Sequence, residues 1–454
     1  MSQPSSTDVV VVGAGFAGLS AASALAAAGL RVTVLEARPQ LGGRATAFND
    51  RESGELVDNG QHVLFGCYRE TFAFLRRIGA DANVLLQSSL IVPFVDAVGR
   101  RSELRCPPLP SPLHLLAAVL DWDAMPWSER LSALRLARPL LAARRELAAT
   151  GRVTTTPGTL TVSEWLRLHR QGSRLRSWLW EPLAVAALNQ QPEDASAAPF
   201  LRVLAEMFGT DPSAASIGLP LKPLHQMYAE PARAFIEAHG GTVRTNALAR
   251  LVVSGESVTG VDVRGESIAS ERVVSAVPWF ALRTLFGAEP PRAMHEIISL
   301  ASSLDSMPIV TVNLWYDRPV MEEPFVGLPG RAMHWVFDKR FAFGESASHL
   351  SLVASGAETL VREETTALVS RASEEVAQAL ARARSARLLR GTVIREKHAT
   401  FSLAPGQPQR PGSWTPIKGL VLAGDWIDTG LPGTIESAVV SGHRAALAVL
   451  TFRT

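Results

Sequence analysis

The sequence is poor in the features that mark several protein classes. It holds two cysteines, Cys67 and Cys106, in 454 residues. Two cysteines exclude a disulfide framework and a cysteine-based metal cluster, so no metal site is predicted and a reducing compartment is favoured. The formal net charge is only +2, so the composition gives no support for nucleic-acid binding.

Segments that address a protein to a membrane are also missing from the sequence. No run of about 18 uncharged apolar residues occurs, so no transmembrane helix is predicted. The first residues, MSQPSSTD, lack a basic segment followed by an apolar one, and no signal peptide is expected. These absences together predict a cytoplasmic protein.

Apolar residues, in contrast, are abundant. They make up 47% of the chain, which includes ten tryptophans, and this predicts a large apolar cavity, a membrane-facing surface, or both. The helical pattern of residues 127–147 leaves both interpretations open, because Leu131, Leu134 and Leu141 share a face with arginines. Such a helix lies either on an anionic membrane or in an ordinary lobe with a solvated arginine face.

The stretch that organises the chain is residues 8–44, which read as strand, glycine turn, helix, strand and acid. Val9–Val12 form an apolar run typical of a strand buried on both faces. Gly13, Gly15 and Gly18 follow as G-x-G-x-x-G, which permits a tight turn and a close backbone approach to a pyrophosphate. Glu36 ends the second strand, where a carboxylate accepts hydrogen bonds from ribose hydroxyls. This complete context predicts a nucleotide-binding unit.

Two further segments indicate which nucleotide is bound. Gly42, Gly43 and Arg44 offer backbone N–H groups and a guanidinium to phosphate oxygens. Near the C-terminus a buried strand at 420–423 leads into Gly424–Asp425 and then into a helix that begins near Thr434. The N-terminus of that helix suits a flavin ring that becomes negatively charged on reduction.

The order of patterns along the chain predicts two interleaved lobes in an α/β fold. Segments 1–90, 231–282 and 391–454 are expected to form a Rossmann-like nucleotide-binding domain. Segments 91–230 and 283–390 are expected to form an α+β substrate-binding lobe that is partly helical.

Taken together, these motifs resemble the FAD-dependent amine oxidase and phytoene desaturase superfamily over essentially the whole chain. Residues 58–62 (DNGQH), 66–68 (GCY) and 180–189 (W-x-P-L-x-x-A-x-L-N) are similar to the squalene-associated branch, the hydroxysqualene dehydroxylases of hopanoid biosynthesis. The resemblance implies an FAD-dependent oxidoreductase whose Rossmann-like FAD-binding domain is of the GR2, or amine oxidase, type.

The resemblance also implies a set of cofactor-binding residues. They are Gly13, Gly15, Phe16, Ala17, Gly18, Glu36, Ala37, Arg38, Gly42, Gly43, Arg44, Gln61, His62, Ala249, Gly424, Asp425, Thr434, Ile435 and Glu436. Ala249 departs from the valine that is common in the family, which a contact through backbone atoms tolerates. Both cysteines lie outside the C-terminal flavin segment, so the FAD is expected to be noncovalent.

The branch reaction that the resemblance implies is reductive. A hydroxylated C30 prenyl lipid loses its hydroxyl after protonation, and hydride from reduced FAD replaces it. His62 is the candidate proton donor, and Asp58, four residues earlier, is expected to raise its pKa. The alternative is that Asp58 and His62 only order their loop against FAD.

Two other functions remain open, and each agrees with the same motifs. One is a carotenoid-type desaturase, and the other is a flavin-binding scaffold that escorts prenyl lipids without turnover. For the reductive reaction the expected partners are the prenyl-lipid substrate, an external reductant and prenyl synthases of the same pathway. Peripheral contact with the inner face of the membrane is a further expectation.

Overall fold

The computed structural model describes residues 7–51, 54–154, 156, 158–287, 289–344 and 348–451. Residues 1–6, which bear on the expected lack of a signal peptide, lie outside this range. The strands are β1 (Val9–Val12), β2 (Val32–Leu35), β3 (Ala47–Asn49), β4 (Leu56–Asp58), β5 (Leu64–Phe65), β6 (Val84–Leu86), β7 (Ile91–Val95), β8 (Arg101–Arg105), β9 (Ile217–Pro220), β10 (Thr242–Arg244), β11 (Ala249–Ser254), β12 (Ser257–Val263), β13 (Glu266–Ala269), β14 (Val273–Ser275), β15 (Ser306–Tyr316), β16 (Phe325–Gly327), β17 (Trp335–Asp338), β18 (Ser348–Ser355), β19 (Leu388–Phe401) and β20 (Leu420–Leu422).

The α-helices alternate with these strands in the first lobe and are grouped together in the second. They are α1 (Phe16–Ala27), α2 (Arg69–Arg77), α3 (Leu113–Asp121), α4 (Trp127–Ser132), α5 (Ala137–Thr150), α6 (Val162–Leu168), α7 (Ser173–Leu175), α8 (Glu181–Leu188), α9 (Ala197–Met207), α10 (Glu230–Ala238), α11 (His295–Ser303), α12 (Arg340–Phe343), α13 (Thr365–Ala379) and α14 (Ile435–Thr451). Among the helices in the described ranges, none has the length and hydropathy needed to cross a bilayer.

A five-stranded parallel sheet forms the centre of the first lobe. Its strand order is β10-β2-β1-β14-β20, and all four neighbouring pairs run parallel. Every residue of β1 and β2 is buried, as strands covered on both faces require. The predicted Rossmann-like FAD-binding fold is therefore confirmed.

The last helix packs against the first one at a very short separation. Gly442 of α14 lies so close to α1 that a Cβ atom there would overlap the backbone carbonyl of Ala17. Because β20 also pairs with β14, the C-terminal segment is joined to the N-terminal βαβ unit by both a strand and a helix. The carboxyl ends of β1 and β20 therefore lie at the same edge of the sheet.

The second lobe contains a seven-stranded sheet of order β19-β15-β18-β17-β16-β7-β8. Strand β19 pairs antiparallel with β15 along most of its length. Residues 391–401 therefore belong to the sheet of the substrate lobe, and the boundary predicted at residue 391 moves to the end of β19. The sequence reveals a strand at this position but not the sheet that it joins.

Helices α3 to α9 cover one side of this sheet and enclose an apolar core. The predicted helix at 127–147 is divided into α4, a 3-10 turn and α5. Its inner face is buried at Leu136, Leu140 and Ala143. On its outer face three leucines stay exposed: Leu131 (52%), Leu134 (42%) and Leu141 (46%).

The packing of α1 on β1, beside the glycine turn, can be tested directly by substitution. A Cβ atom at Gly18 would overlap the carbonyl oxygen of Gly13, so we expect Gly18→Ala to push α1 away from β1. The free energy of unfolding should fall by about 1–3 kcal/mol, as for an overpacked core. Urea denaturation measures this change. Gly412→Ala is the control, since a Cβ at Gly412 meets nothing within 4 Å; equal losses in both variants would contradict the packing argument.

Candidate cofactor and substrate site

An elongated cavity of about 450 Å³ lies at the carboxyl edge of the parallel sheet. The N-termini of α1 and α14 both open into it. Most of the residues predicted to bind the cofactor line this cavity: Gly13, Gly15, Phe16, Ala17, Glu36, Ala37, Arg38, Gly42, Gly43, Arg44, Gln61, His62, Ala249, Gly424, Asp425, Thr434 and Ile435. We call it the cofactor cavity.

The middle of the cofactor cavity is built for close approach by an anion. Gly13 has φ +104°, and Gly15 and Gly43 face each other so closely that a Cβ on Gly43 would lie 3.2 Å from the Gly15 Cα. No side chain caps the N-terminus of α1, so its first N–H groups remain available. Free N–H groups at a helix N-terminus, within a cradle of glycines, fit the pyrophosphate of FAD.

The adenosine end of the cavity is marked by Glu36. Its carboxylate accepts hydrogen bonds from the backbone N–H of Ala14 at 2.8 Å and of Arg38 at 2.9 Å. These bonds fix the carboxylate at the end of β2, where its remaining lone pairs can receive ribose hydroxyls. Ala247 and Leu248 line the cavity beside Ala249; the sequence analysis missed both, because they lie in an irregular turn without a motif.

Arg44 has a more specific role than the sequence analysis assigned to it. Its guanidinium donates to the Asp425 carboxylate at 2.5 Å and to the backbone carbonyl of Ala399 at 2.6 Å. Two of its donors are thus committed within the protein, and fewer remain for a phosphate. The ion pair also neutralises Asp425, and it ties the N-terminal segment to the C-terminal one.

Two of the predicted cofactor residues do not line the cavity. Gly18 lies beneath the turn, where it permits close packing of α1 on β1. Glu436 points away and accepts hydrogen bonds from the backbone N–H groups of Glu70 and Thr71 and from the Thr71 hydroxyl. It therefore satisfies the free N–H groups at the start of α2 and borders a separate polar cleft that also holds His443.

Asp58 is expected to raise the pKa of His62, and its charge acts in that direction, but burial of the imidazole outweighs it. The Asp58 carboxylate accepts hydrogen bonds from the Lys339 ammonium at 2.7 Å and from the backbone N–H of Leu224 at 2.9 Å. Asp58 is buried and does not line the cofactor cavity. Its charge is therefore paired with that of a lysine, and the two charges shift the pKa of His62 in opposite directions.

His62 lines the cofactor cavity, but its environment does not favour a charged imidazole. Burial lowers the pKa of His62 below its ordinary value of 6.5, and this effect outweighs the opposing influence of the Gly60 carbonyl and of Asp58. The Nδ1 atom lies 3.2 Å from the Gly60 carbonyl, to which it can only donate. The neutral ring then presents Nε2 as a hydrogen-bond acceptor.

Lys339 is a further residue of the site that sequence reasoning missed. Its side chain is only 3% exposed, and its ammonium contacts both Asp58 and the Gln61 side-chain oxygen at 2.7 Å. Asp58 and Lys339 are 281 positions apart in the chain, so no local pattern connects them. One signal was available: the chain has just four lysines among its 45 basic residues, so a lysine directly after an apolar strand is unusual.

A second cavity, of about 180 Å³, opens from the ring end of the cofactor cavity. We call it the apolar cavity. Of the described residues that line it, Gln61 and Ser355 carry the polar side chains other than tryptophan indoles, and both also line the cofactor cavity. The rest are aliphatic or aromatic, among them Phe94, Trp178 and Trp335. The two cavities therefore meet at Gln61 and Ser355, together with the apolar residues Val63, Phe65, Ala186 and Val353 that line both.

Some of the tryptophans line the apolar cavity, and others pack elsewhere. Trp178, Trp180 and Trp335 line the apolar cavity. Trp279 instead packs beneath the Arg44 guanidinium, and Trp315 stacks on His349. The arrangement as a whole can hold a dinucleotide at one end and a long apolar molecule at the other, with their reacting parts shielded from water.

The buried ion pair leads to a prediction about stability. Lys339→Met should lower the free energy of unfolding by about 3–5 kcal/mol, because it leaves the Asp58 carboxylate buried without a partner. The double variant Asp58→Asn/Lys339→Met should recover most of this loss. Urea denaturation measures both. The control is Arg233→Met, which breaks an exposed pair with Glu237 and should lower the free energy of unfolding by less than about 1 kcal/mol. A loss in Lys339→Met no larger than the loss in Arg233→Met would contradict the prediction.

The neutral state of His62 leads to a prediction about pH. Below pH 6.5 the unfolded chain takes up a proton at this position more readily than the folded protein, because folding lowers the pKa. The stabilising contribution of His62 is therefore complete above pH 6.5 and is lost as the pH falls through its lowered folded pKa. Comparing the unfolding free energies of the protein and of His62→Gln between pH 8 and pH 5 measures this. The prediction would be contradicted if the stability of the unmodified protein relative to His62→Gln increased as the pH is lowered.

Comparisons with known proteins agree with this geometry. The profile of the family "Flavin containing amine oxidoreductase" matches residues 16–450. A hydroxysqualene dehydroxylase from Sinorhizobium fredii is 32% identical over 455 residues, covering 97% of each chain. A probable zeta-carotene desaturase from Synechococcus elongatus is 26% identical over 483 residues, covering 97% of this chain and 98% of its own.

A solved structure of similar fold is that of putrescine oxidase bound to putrescine. It superposes with a TM-score of 0.73 at 18% identity and covers 98% of this chain and 99% of its own. The likeness concerns the fold alone, but the family match extends over almost the whole sequence, and the cavity described above fits FAD. The chain belongs to the flavin-containing amine oxidoreductase family and is an FAD-dependent oxidoreductase.

Proposed function

We propose that this protein reduces hydroxysqualene to squalene. The observation that carries the proposal is the junction at Gln61, where a nearly all-apolar cavity opens into the cofactor cavity. A junction of this kind suits a long hydrocarbon chain better than a small amine. Relatives named hydroxysqualene dehydroxylase, 28–32% identical over nearly the full length, support the same substrate class.

The reaction replaces a hydroxyl group by hydrogen and releases water. Reduced FAD, when bound, supplies the hydride for this exchange. The aliphatic and aromatic walls of the apolar cavity hold the chain and exclude water, which strengthens every electrostatic interaction at the reacting carbon. The indole rings of Trp178, Trp180 and Trp335 stabilise positive charge on that carbon through their π faces.

His62 has a different role in this proposal from the one predicted from the sequence. Since burial lowers its pKa, an imidazolium is scarce at neutral pH and His62 is a poor proton donor. As a neutral acceptor at the cavity wall, it orients a hydroxyl group or a water molecule. The proton for the departing hydroxyl then comes from solvent or another group, and the electrons come from an external reductant.

A carotenoid-type desaturation is the second candidate function. The observation that favours it is the set of desaturases among the relatives, at 24–27% identity over nearly all of this chain. The apolar cavity accepts either type of hydrocarbon. The two reactions need opposite redox states of FAD, so they can be separated by experiment.

Product analysis of the purified FAD-bound protein tests the proposed function. With hydroxysqualene and a chemical reductant under nitrogen we expect squalene, identified by its mass. With phytoene and an oxidant we expect no new double bond. Desaturated phytoene without squalene would establish the second candidate. Lipid binding without either product would indicate a scaffold that escorts prenyl lipids.

We also propose a route by which the substrate arrives. The cavity is less than half as large as the cofactor cavity, so we expect it to hold the reacting part of a C30 chain while the rest extends outwards. Helix α3 places Leu115, Ala118 and Val119 in the cavity wall but leaves Leu113 55% exposed. The rest of the lipid chain then extends past α3 towards the protein surface.

That surface combines apolar and basic side chains. We define the outer helical face as the exposed residues Leu113, Trp127, Leu131, Leu134, Arg135, Arg138, Leu141 and Arg145. Leucines inserting into a bilayer and arginines reaching anionic headgroups are typical of a helix that lies in the membrane interface. We propose that this face contacts an anionic bilayer, with the protein otherwise in the cytoplasm, so that lipid enters from the membrane rather than from a partner synthase.

Sedimentation with phosphatidylglycerol vesicles tests the contact. The protein should bind and should be released in about 1 M salt, where the Debye length is about 3 Å and the contribution of each arginine, about 1 kcal/mol, is screened. The triple variant Leu131→Gln/Leu134→Gln/Leu141→Gln should lose most of the binding.

The matched control changes exposed apolar residues elsewhere. Leu85, Val98 and Leu389 are 54%, 87% and 51% exposed, and substituting all three by glutamine should leave vesicle binding unchanged. Equal losses of vesicle binding in the two triple variants would contradict a specific role for the outer helical face. The leucine variant should form squalene from soluble substrate at an unchanged rate. That result would show that the leucine substitutions affect the access of lipid to the cavity.

A further inference from the structure

Gln61 occupies a particular position between the two cavities. It lines both the cofactor cavity and the apolar cavity, where a reacting carbon must meet the cofactor. Nearly all of its neighbours in the apolar cavity are hydrocarbon, so its amide is the strongest polar group that a bound chain meets there. What this amide presents to a ligand depends on how it is held.

Lys339 determines the orientation of the Gln61 amide. An ammonium group has only donors, so the atom of Gln61 that lies 2.7 Å from the Lys339 Nζ must be the carbonyl oxygen. The reverse orientation would place an NH2 group against the ammonium. The oxygen therefore faces Lys339, and the Nε2 group faces the other way.

Asp58 holds the lysine side chain in place. It contacts the same Nζ atom at 2.7 Å, and both side chains are at most 4% exposed. Asp58 is itself fixed by the backbone N–H of Leu224. The order Asp58–Lys339–Gln61 is thus a chain of hydrogen bonds that ends in an amide with a fixed orientation and with its N–H groups polarised by a nearby positive charge.

The Gln61 NH2 group has two donors, and one is used within the protein. Nε2 donates to the His62 backbone carbonyl at 3.1 Å. The second N–H remains for a ligand at the junction. An unpaired donor in an apolar site is costly, so the site favours a ligand that brings an oxygen to this point over one that brings only hydrocarbon.

We propose that Asp58 and Lys339 set Gln61 as a hydrogen-bond donor that selects hydroxylated prenyl chains over the corresponding hydrocarbons. Gln61 is the group that touches the substrate, while Lys339 and Asp58 are positioning residues. The selection favours release of the product, because squalene lacks the oxygen that hydroxysqualene offers. This inference rests on the proposed function for its choice of ligands.

Equilibrium binding to the oxidised FAD-bound protein tests the inference without turnover. Hydroxysqualene and squalene are titrated in turn, with the fluorescence of the tryptophans that line the apolar cavity as the readout. We expect hydroxysqualene to bind at least about tenfold more tightly, the ratio that one hydrogen bond to an otherwise unpaired donor supplies. Gln61→Met should reduce the ratio to near one, with squalene bound at least as tightly as by the unmodified protein, because no donor is then left unpaired.

The positioning role of Lys339 is tested by the double variant Asp58→Asn/Lys339→Met, which avoids a buried unpaired charge. It should keep its FAD content and its affinity for squalene but lose part of the preference for hydroxysqualene, because the amide is then no longer held in place and must be ordered when the ligand binds. Gln87→Met is the matched control. It makes the same chemical change in a half-buried glutamine that lines neither cavity, and it should keep the full ratio.

Each outcome either supports the inference or overturns it. Equal binding of the two lipids to the unmodified protein, or a preference that survives Gln61→Met, overturns the role of Gln61. A preference that survives undiminished in the double variant overturns the role of Lys339. The proposed function fails separately, when reductant and hydroxysqualene give no squalene while the binding preference persists.

Discussion

The meeting of N-terminal and C-terminal segments at one edge of the parallel sheet is the constraint on which the site depends. Gly442 lets α14 lie against α1, β20 extends the sheet beside β14, and Arg44 forms an ion pair with Asp425. Together they place two helix N-termini at one cavity, which neither segment could do alone. Partial positive charges at both termini suit a cofactor that carries a pyrophosphate and becomes negatively charged on reduction.

The second lobe adds an environment of opposite character. Its sheet and helices enclose an almost wholly apolar cavity, and they contribute Lys339, the cation buried at the junction. The ammonium pairs with Asp58, and the charges of these two groups shift the pKa of His62 in opposite directions. Burial favours the neutral form of His62 and Lys339 orients the Gln61 amide, which fits recognition of an oxygen better than donation of a proton.

Local signals explain what could be predicted from the sequence. The turn at Gly13, Gly15 and Gly18, the acid Glu36 and the flavin-binding turn near Thr434 each lie within one short segment, so spacing was enough to place them. Partners far apart in the chain could not be read in this way. Glu436 caps a helix 366 residues away, Asp58 pairs with Lys339 across 281 residues, and β19 joins the sheet of the other lobe. Only the fold brings these groups together.

A crystal structure of the oxidised FAD-bound protein with hydroxysqualene tests the central claim, that cofactor and lipid meet at Gln61. The account predicts the flavin ring at the His62 end of the cofactor cavity and the lipid chain among Trp178, Trp180 and Trp335. It also predicts the substrate oxygen within hydrogen-bonding distance of the Gln61 Nε2 atom. A lipid bound in the polar cleft beside His443, or with its oxygen turned away from Gln61, would contradict it.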